Sequence, residues 1–338
     1  MLAKKLLGSK SVVPPYSGDI AVAHDTSPFV SVYPWSSGFG TKYANPATLP
    51  AGNGGGVTFS PDGATIAVAH ALSLFVSVYP WSSGFGTKYA DPATLPTGTG
   101  FGVTFSPDGA TIAVAHALSP FVSVYPWSSG FGAKYANPAT LPTGTGRGVT
   151  FSPDGATIAV AHNTSPYISV YPWSAGFGTK YADPATLPTG IGFGVTFSPD
   201  GATIAVAHNT SPYISVYPWS AGFGTKYADP ATLPTSTGNG VAFSPDGATI
   251  AVAHATSPFV SVYPWSAGFG TKYADPATLP TGAGNGVAFS PDGANIAVSH
   301  ITSPSISVYP WSSGFGSKYA NPATLPAGNG RFVAFSPA

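Results

Sequence analysis

An all-β fold made of seven copies of one small sheet is what this sequence predicts, on three observations. The first is a strict period. Trp recurs at 35, 81, 127, 173, 219, 265 and 311, and His at 24, 70, 116, 162, 208, 254 and 300, each 46 residues after the last. A fixed period of this size marks an array of units that bury their faces on one another rather than a set of separate domains. The second is punctuation. With 42 Gly and 36 Pro in 338 residues, helices are broken everywhere, while 7 Trp, 17 Tyr and 21 Phe supply core that a disordered chain lacks. The third is short apolar alternation between turn signals, repeated in every period.

One period, starting at Gly56, yields four strand-like runs in order. Run A is Val57-Thr58-Phe59, closed by Ser60-Pro61-Asp62-Gly63, whose Asp-Gly pair suits a tight hairpin. Run B extends from Thr65 to His70. Ile66 and Val68 point to one side and the small Ala67 and Ala69 to the other, so one bulky face is able to nest on the small face of the next copy. Run C, from Phe75 to Trp81, meets Pro80 near its end, where a strand bulges or stops. Run D, Thr87 to Ala90, is short and carries Lys88, as expected of an exposed fourth strand at a sheet edge. The Asx-Pro turn of residues 91–96 leads to the next run A.

The ends predict a closed ring. Residues 13–18 stand where a run A would precede the first run B (residues 20–24), and residues 333–338 form a run A with nothing after it. If the last run A joins the first run B, seven complete units result, and no polar capping repeat is present to end an open solenoid. The expected architecture is a seven-bladed β-propeller of four-stranded antiparallel blades over residues 17–338, closed by the C-terminal strand, with residues 1–16 as an N-terminal tail.

The stretch VTFSPDGATIAVAH followed by FVSVYPWS resembles the WD40 repeat pattern across all seven repeats. Two departures matter. Ser36, Ser82 and their equivalents follow the Trp in place of Asp, and no Gly-His pair precedes run A, so only the Trp of that family's hydrogen-bond network matches. The tract GFGTKYADPATLPTG joined to FSPDGATIAVAH is similar to WD40-like proteins of tailed bacteriophages, which implies a viral source and no activity.

Charge excludes several function classes. Lys and Arg number 12 and Asp also 12, with no Glu, so no basic field exists for nucleic acid. No apolar run approaches the length of a membrane span, and the start, MLAKKLLGSKSVV, is too short in its apolar part for a secretory leader. Membrane insertion is not expected; the compartment is left open, with virion and host cytoplasm as candidates. Without Cys there are no disulfides or thiolate sites.

The recurring polar residues read as structural. Seven like histidines spaced around a ring stand too far apart to share a metal ion, and each is expected to bond across its B–C turn. Asp62 and its counterparts belong to Pro-Asp-Gly turns. The second acidic series alternates with Asn (Asp91 but Asn45), which suits Asx turns and not catalysis. The repeated Tyr, Trp and Phe read as packing between blades, with a sugar-stacking platform as the alternative. No metal and no cofactor are expected.

Seven near-identical blades present rings of like groups, so a non-enzymatic propeller is expected: a monomeric structural or protein-binding unit, assembled in a phage virion, with a multivalent glycan-binding adhesin as the alternative and a channel-centred enzyme third. Its partner, a protein or a host-surface glycan, is expected on the face carrying the B–C and D–A loops. There one position diverges from repeat to repeat as Gly55, Phe101, Arg147, Phe193, Asn239, Asn285 and Arg331. These are the candidate binding residues, since Arg and Phe are types enriched where partners are gripped.

Overall fold

A computed structural model describes residues 16–338; most of the expected tail lies outside the described residues. All regular structure in it is β, arranged as seven antiparallel sheets of three strands each, consistent with a seven-bladed propeller. In blade 2 the inner strand is Gly54–Phe59, the middle strand Thr65–His70 and the outer strand Val76–Pro80. Blades 3 to 7 repeat this order. Blade 1 takes its middle strand (Gly18–His24) and outer strand (Val30–Trp35) from the start of the chain and its inner strand, Gly330–Phe335, from the end. Val22 faces Val333 and Ile20 faces Phe335 in that pairing. The seven inner strands neighbour one another in cyclic order, Gly330–Phe335 lying between those of blades 7 and 2.

Tyr16 belongs to this junction. It is buried, and its hydroxyl donates to the Ser336 carbonyl at 2.8 Å, while Asp19 and Ser336 exchange further bonds (Asp19 N–H to Ser336 Oγ, 2.9 Å; Ser336 N–H to the Asp19 carbonyl, 2.8 Å).

The four-stranded blade is corrected. Residues 87–90 and their equivalents form no strand. Two backbone bonds hold the segment beside the outer strand, Gly86 N–H to Pro80 and Tyr89 N–H to Val78 (each 2.9 Å), besides the single Trp81–Phe85 bridge. Pro80 has no N–H to return. The chain reaches this segment through Ser83 and Gly84, both at positive φ (52° and 149°), which swing it away from ladder geometry. Its tyrosine is used elsewhere: Tyr89 packs edge-on against Trp127 of the next blade, with ring centroids 5.1 Å apart.

The core lies between blades. Val57, Phe59, Ile66, Val68, Tyr79 and Trp81 of blade 2 pack on Ala21, Ala23, Val30 and Val32 of blade 1. This is the bulky face nested on the small face, and it recurs around the ring. Middle strands are buried on both faces, which is why residues 66–70 carry no charge at all.

Buried polar groups are satisfied within each blade. His70 is fully buried; its Nδ1 bonds the Leu72 carbonyl (3.1 Å) and its Nε2 meets Ser77 Oγ (3.0 Å). A carbonyl only accepts, so Nδ1 carries the proton and the serine hydroxyl donates to Nε2. The Nε2–Ser bond is present in all seven blades, and burial lowers each imidazole to a pKa of about 4. The Asp of the A–B turn likewise serves its own turn: Asp62 Oδ1 accepts from the Ser60 hydroxyl (2.5 Å) and the Ala64 N–H (3.0 Å), with Gly63 at φ 70° supplying the left-handed step.

Candidate functional site

All seven inner strands contribute to one cavity of about 470 Å³ at the end of the ring that carries the B–C loops. Its lining includes every one of the divergent residues: Gly55, Phe101, Arg147, Phe193, Asn239, Asn285 and Arg331. The register explains why. Gly54 pairs with His70 and Gly56 with Ala69, leaving residue 55 without a partner on the middle strand. The same one-residue bulge falls at each of the other six positions. A bulge bends its strand and re-aims the extra side chain, and bulges recur beside functional sites. Here it supplies seven positions, one per blade, that ladder pairing does not constrain.

The flanking glycines hold the strands close enough to make the ring. A Cβ on Gly54 would lie 2.4 Å from the Phe29 carbonyl of the preceding blade, and one on Gly56 would lie 2.9 Å from the Phe101 carbonyl of the following blade. Gly55 is under the same constraint, its Cβ meeting the Gly100 carbonyl at 2.7 Å. In the last repeat the second flanking glycine is replaced by Phe332, which is 40% exposed and also lines the cavity. Sequence reasoning missed Phe332, although its break in the Gly-x-Gly pattern was the available signal.

Chemically the ring is unequal. On one side the Arg147 guanidinium carbon lies 4.5 Å from the centre of the Phe101 ring and 5.8 Å from that of Phe193. Cation–π contacts of this kind stabilise by roughly 0.5–2 kcal/mol. Among the described residues Arg147 meets no carboxylate, and its Nε is buried without a hydrogen-bond partner. Burial lowers its pKa from the ordinary value, yet a guanidinium stays charged at neutral pH. On the other side Asn239 Nδ2 donates to the Gly284 carbonyl (2.8 Å) and Asn285 Nδ2 to the Gly330 carbonyl (2.7 Å), each lacing its strand to the next. Those bonds leave the amide oxygens uncommitted. Arg331 is paired with Asp25 at 3.2 Å, and Asp25 also accepts the Asn329 N–H (2.9 Å). The site thus offers one unpaired cation between aromatic rings, neutral amides, and a neutralised ion pair at the rim. No cluster of three metal-ligating side chains occurs among the described residues.

No protein-family model and no curated protein sequence matches the chain. Solved structures do. A candidate 6-phosphogluconolactonase of Bacteroides uniformis aligns with a TM-score of 0.69 at 16% identity, covering 94% of this chain and 99% of its own. The periplasmic gluconolactonase of Pseudomonas aeruginosa aligns at 0.69 and 18%, covering 95% and 99%. A protein of unknown function from Desulfotomaculum acetoxidans aligns at 0.70 and 15%, with the same coverage. The bacteriophage assignment gains no support from any of these. The expectation of a non-enzymatic virion scaffold or glycan adhesin is also overturned, because the neighbours include enzymes that open lactones. The physical reason lies in the bulge ring: the argument against catalysis assumed like groups in every blade, and at the channel mouth the blades differ. At these identities the likeness shows the fold, a propeller of the kind those lactonases have.

Proposed function

We propose that the chain is a hydrolase of sugar-acid lactones that binds its substrate at the channel mouth, with Arg147 holding the substrate's anionic group. The observation that carries this reading is the uncompensated, half-buried Arg147 guanidinium in a cavity of ligand size. Leaving a cation desolvated without a partner is costly, and an incoming carboxylate or phosphate offsets that cost with charge-assisted bonds. Pockets for small molecules span roughly 300–1,000 Å³. The lactonase names among the structural neighbours support the substrate class. The Asn239 and Asn285 amide oxygens are suited to accept from sugar hydroxyls. Among the described residues no carboxylate lines the cavity itself; Asp25, bonded to the lining residue Arg331, is the carboxylate assigned to take a proton from the attacking water through intervening solvent. As that water adds to the carbonyl carbon, the ring C–O bond breaks and the departing alkoxide takes up a proton, giving the hydroxy acid.

The test is hydrolysis of 6-phosphoglucono-δ-lactone and glucono-δ-lactone followed by acid release, with Arg147→Met and Asp25→Asn beside the parent chain. The expected result is acceleration by the parent and, on 6-phosphoglucono-δ-lactone, a loss of about 10–10²-fold in kcat/KM for Arg147→Met, the scale of one charge-assisted hydrogen bond of about 1.5–3 kcal/mol; glucono-δ-lactone carries no anionic group, and its hydrolysis is expected to change little in that variant. Acid release equal to the buffer rate for both lactones overturns the proposal.

A further inference from the structure

A second set of polar groups lies between blades, beside the A–B turns and away from the channel mouth. At the junction of blades 1 and 2, Tyr43 and Trp81 meet edge to face, centroids 5.1 Å apart at 90°. Both donate to one carboxylate: the Tyr43 hydroxyl to Asp19 Oδ1 (2.9 Å) and the Trp81 indole N–H to Asp19 Oδ2 (2.8 Å). The same perpendicular pair recurs at the next five junctions, from Tyr89–Trp127 to Tyr273–Trp311, at 5.1–5.2 Å and 88–90°. There the place of Asp19 is taken by Thr, from Thr65 to Thr249. Its side chain is shorter, and among the described residues these indole and phenol donors meet no acceptor.

At the last of these junctions lies a cavity of about 470 Å³, whose lining includes Thr249, Tyr273, Trp311, Asp246, Asp292 and Ser312. Trp311 is only 8% exposed. The same cavity is lined by two carboxylates. Asp246 Oδ1 is used by Ser244 and the Ala248 N–H. Asp292 Oδ1 is used by Ser290 and the Ala294 N–H, and its Oδ2 by the Tyr16 N–H (2.9 Å). Asp246 Oδ2 is left uncommitted. A bare anion is repelled by this pair. A group that joins a carboxylate to an ammonium satisfies both sides.

We propose that the notch between Trp311 and Tyr273, with its four repeats in blades 2 to 6, binds the carboxylate of a small α-amino acid as Trp81 and Tyr43 bind that of Asp19, the ammonium facing the turn aspartates. The inference is independent of the channel-mouth reading. The seven indole N–H resonances of the full chain test it, titrated with glycine and separately with acetate. Glycine is expected to shift Trp127, Trp173, Trp219, Trp265 and Trp311 saturably and to leave Trp81, already held by Asp19, in place. Acetate is expected to bind at least tenfold more weakly. Thr249→Asp supplies an internal carboxylate and is expected to abolish the response of Trp311 alone; Tyr273→Phe, which keeps the ring, is expected to weaken it several-fold. A response without saturation, acetate equal to glycine, a shift of Trp81 matching the others, or a Trp311 response unchanged in both variants overturns the proposal.

Discussion

Two sets of seven equivalent residues lie a few residues apart along the sheets and behave oppositely. The histidines that end the middle strands are identical in every blade, fully buried, and bonded on both ring nitrogens or at least to serine. The bulge residues opposite them are glycine, phenylalanine, arginine or asparagine. One set is fixed by ladder register and burial on both faces; the other is released from register by a single extra residue. Near-identity between repeats therefore marks where packing leaves no choice, and divergence marks where side chains are free to take up chemistry.

The widest-ranging way to break that comparison is to open the ring. Removal of residues 331–338 strips blade 1 of its inner strand and the Tyr16–Ser336 bonds, and exposes a sheet edge. A large fall in Tm with loss of monodispersity by light scattering is expected. A truncated chain that melts like the parent would show that the inner strand of blade 1 is dispensable.

Acid is expected to act next most strongly, through the invariant set. Each histidine titrates near 6.5 when unfolded and at about 4 in the fold, because burial disfavours the cation. The Lys88 ammonium near His70 adds to this and Asp91 opposes it, both as smaller effects than burial. The unfolded chain therefore binds more protons, and stability falls as pH drops from 6.5 towards 4. One such histidine amounts to about 3 kcal/mol when the whole interval is crossed. The turn aspartates, held below their usual pKa by Ser60 and its equivalents, act in the same direction at lower pH. Cooperative unfolding between pH 6.5 and 4 by near-UV circular dichroism is expected; a native spectrum at pH 4 would contradict the burial of neutral imidazoles.

Single substitutions sharpen the contrast. Trp173→Ala empties an inter-blade contact and is expected to cost about 3–5 kcal/mol in urea unfolding. Ser169→Ala leaves the buried His162 Nε2 without its donor and is expected to cost about 1–3 kcal/mol. Arg147→Met, at a bulge position, loses the cation–π contacts with Phe101 and Phe193 but also removes a buried unpartnered Nε, opposed effects expected to leave a net change of less than about 1 kcal/mol. A cost for Arg147→Met equal to that of Ser169→Ala would erase the distinction between the two sets.

Much of this was legible in the residues. The bulky and small faces of residues 66–69 and the turn role of Asp62 follow from alternation and turn chemistry, which are local; the 46-residue period and the pairing of the last run with the first follow from counting repeats. The fourth strand was misread because a short run carrying Lys88 suits an exposed sheet edge, whereas what decides is hydrogen bonding to an outer strand that ends in Pro80. Asp19 was not singled out, since nothing local says that it bridges Tyr43 and Trp81, 24 and 62 residues away. The divergent residues were legible as a set. That they are bulge residues lining one cavity depends on register, and the pairing of Arg331 with Asp25 on ring closure. The misjudged function came from averaging over blades that differ where it matters.

The most direct measurement of the central claim, that asymmetry at the bulge ring makes a binding site for an organic anion, is calorimetric titration of the intact chain with 6-phosphogluconate, the product of the proposed reaction. The account expects saturable binding at one site per chain, abolished in Arg147→Met while the melting curve of that variant matches the parent. Binding undiminished in Arg147→Met, or no heat of binding in the parent chain, would contradict it.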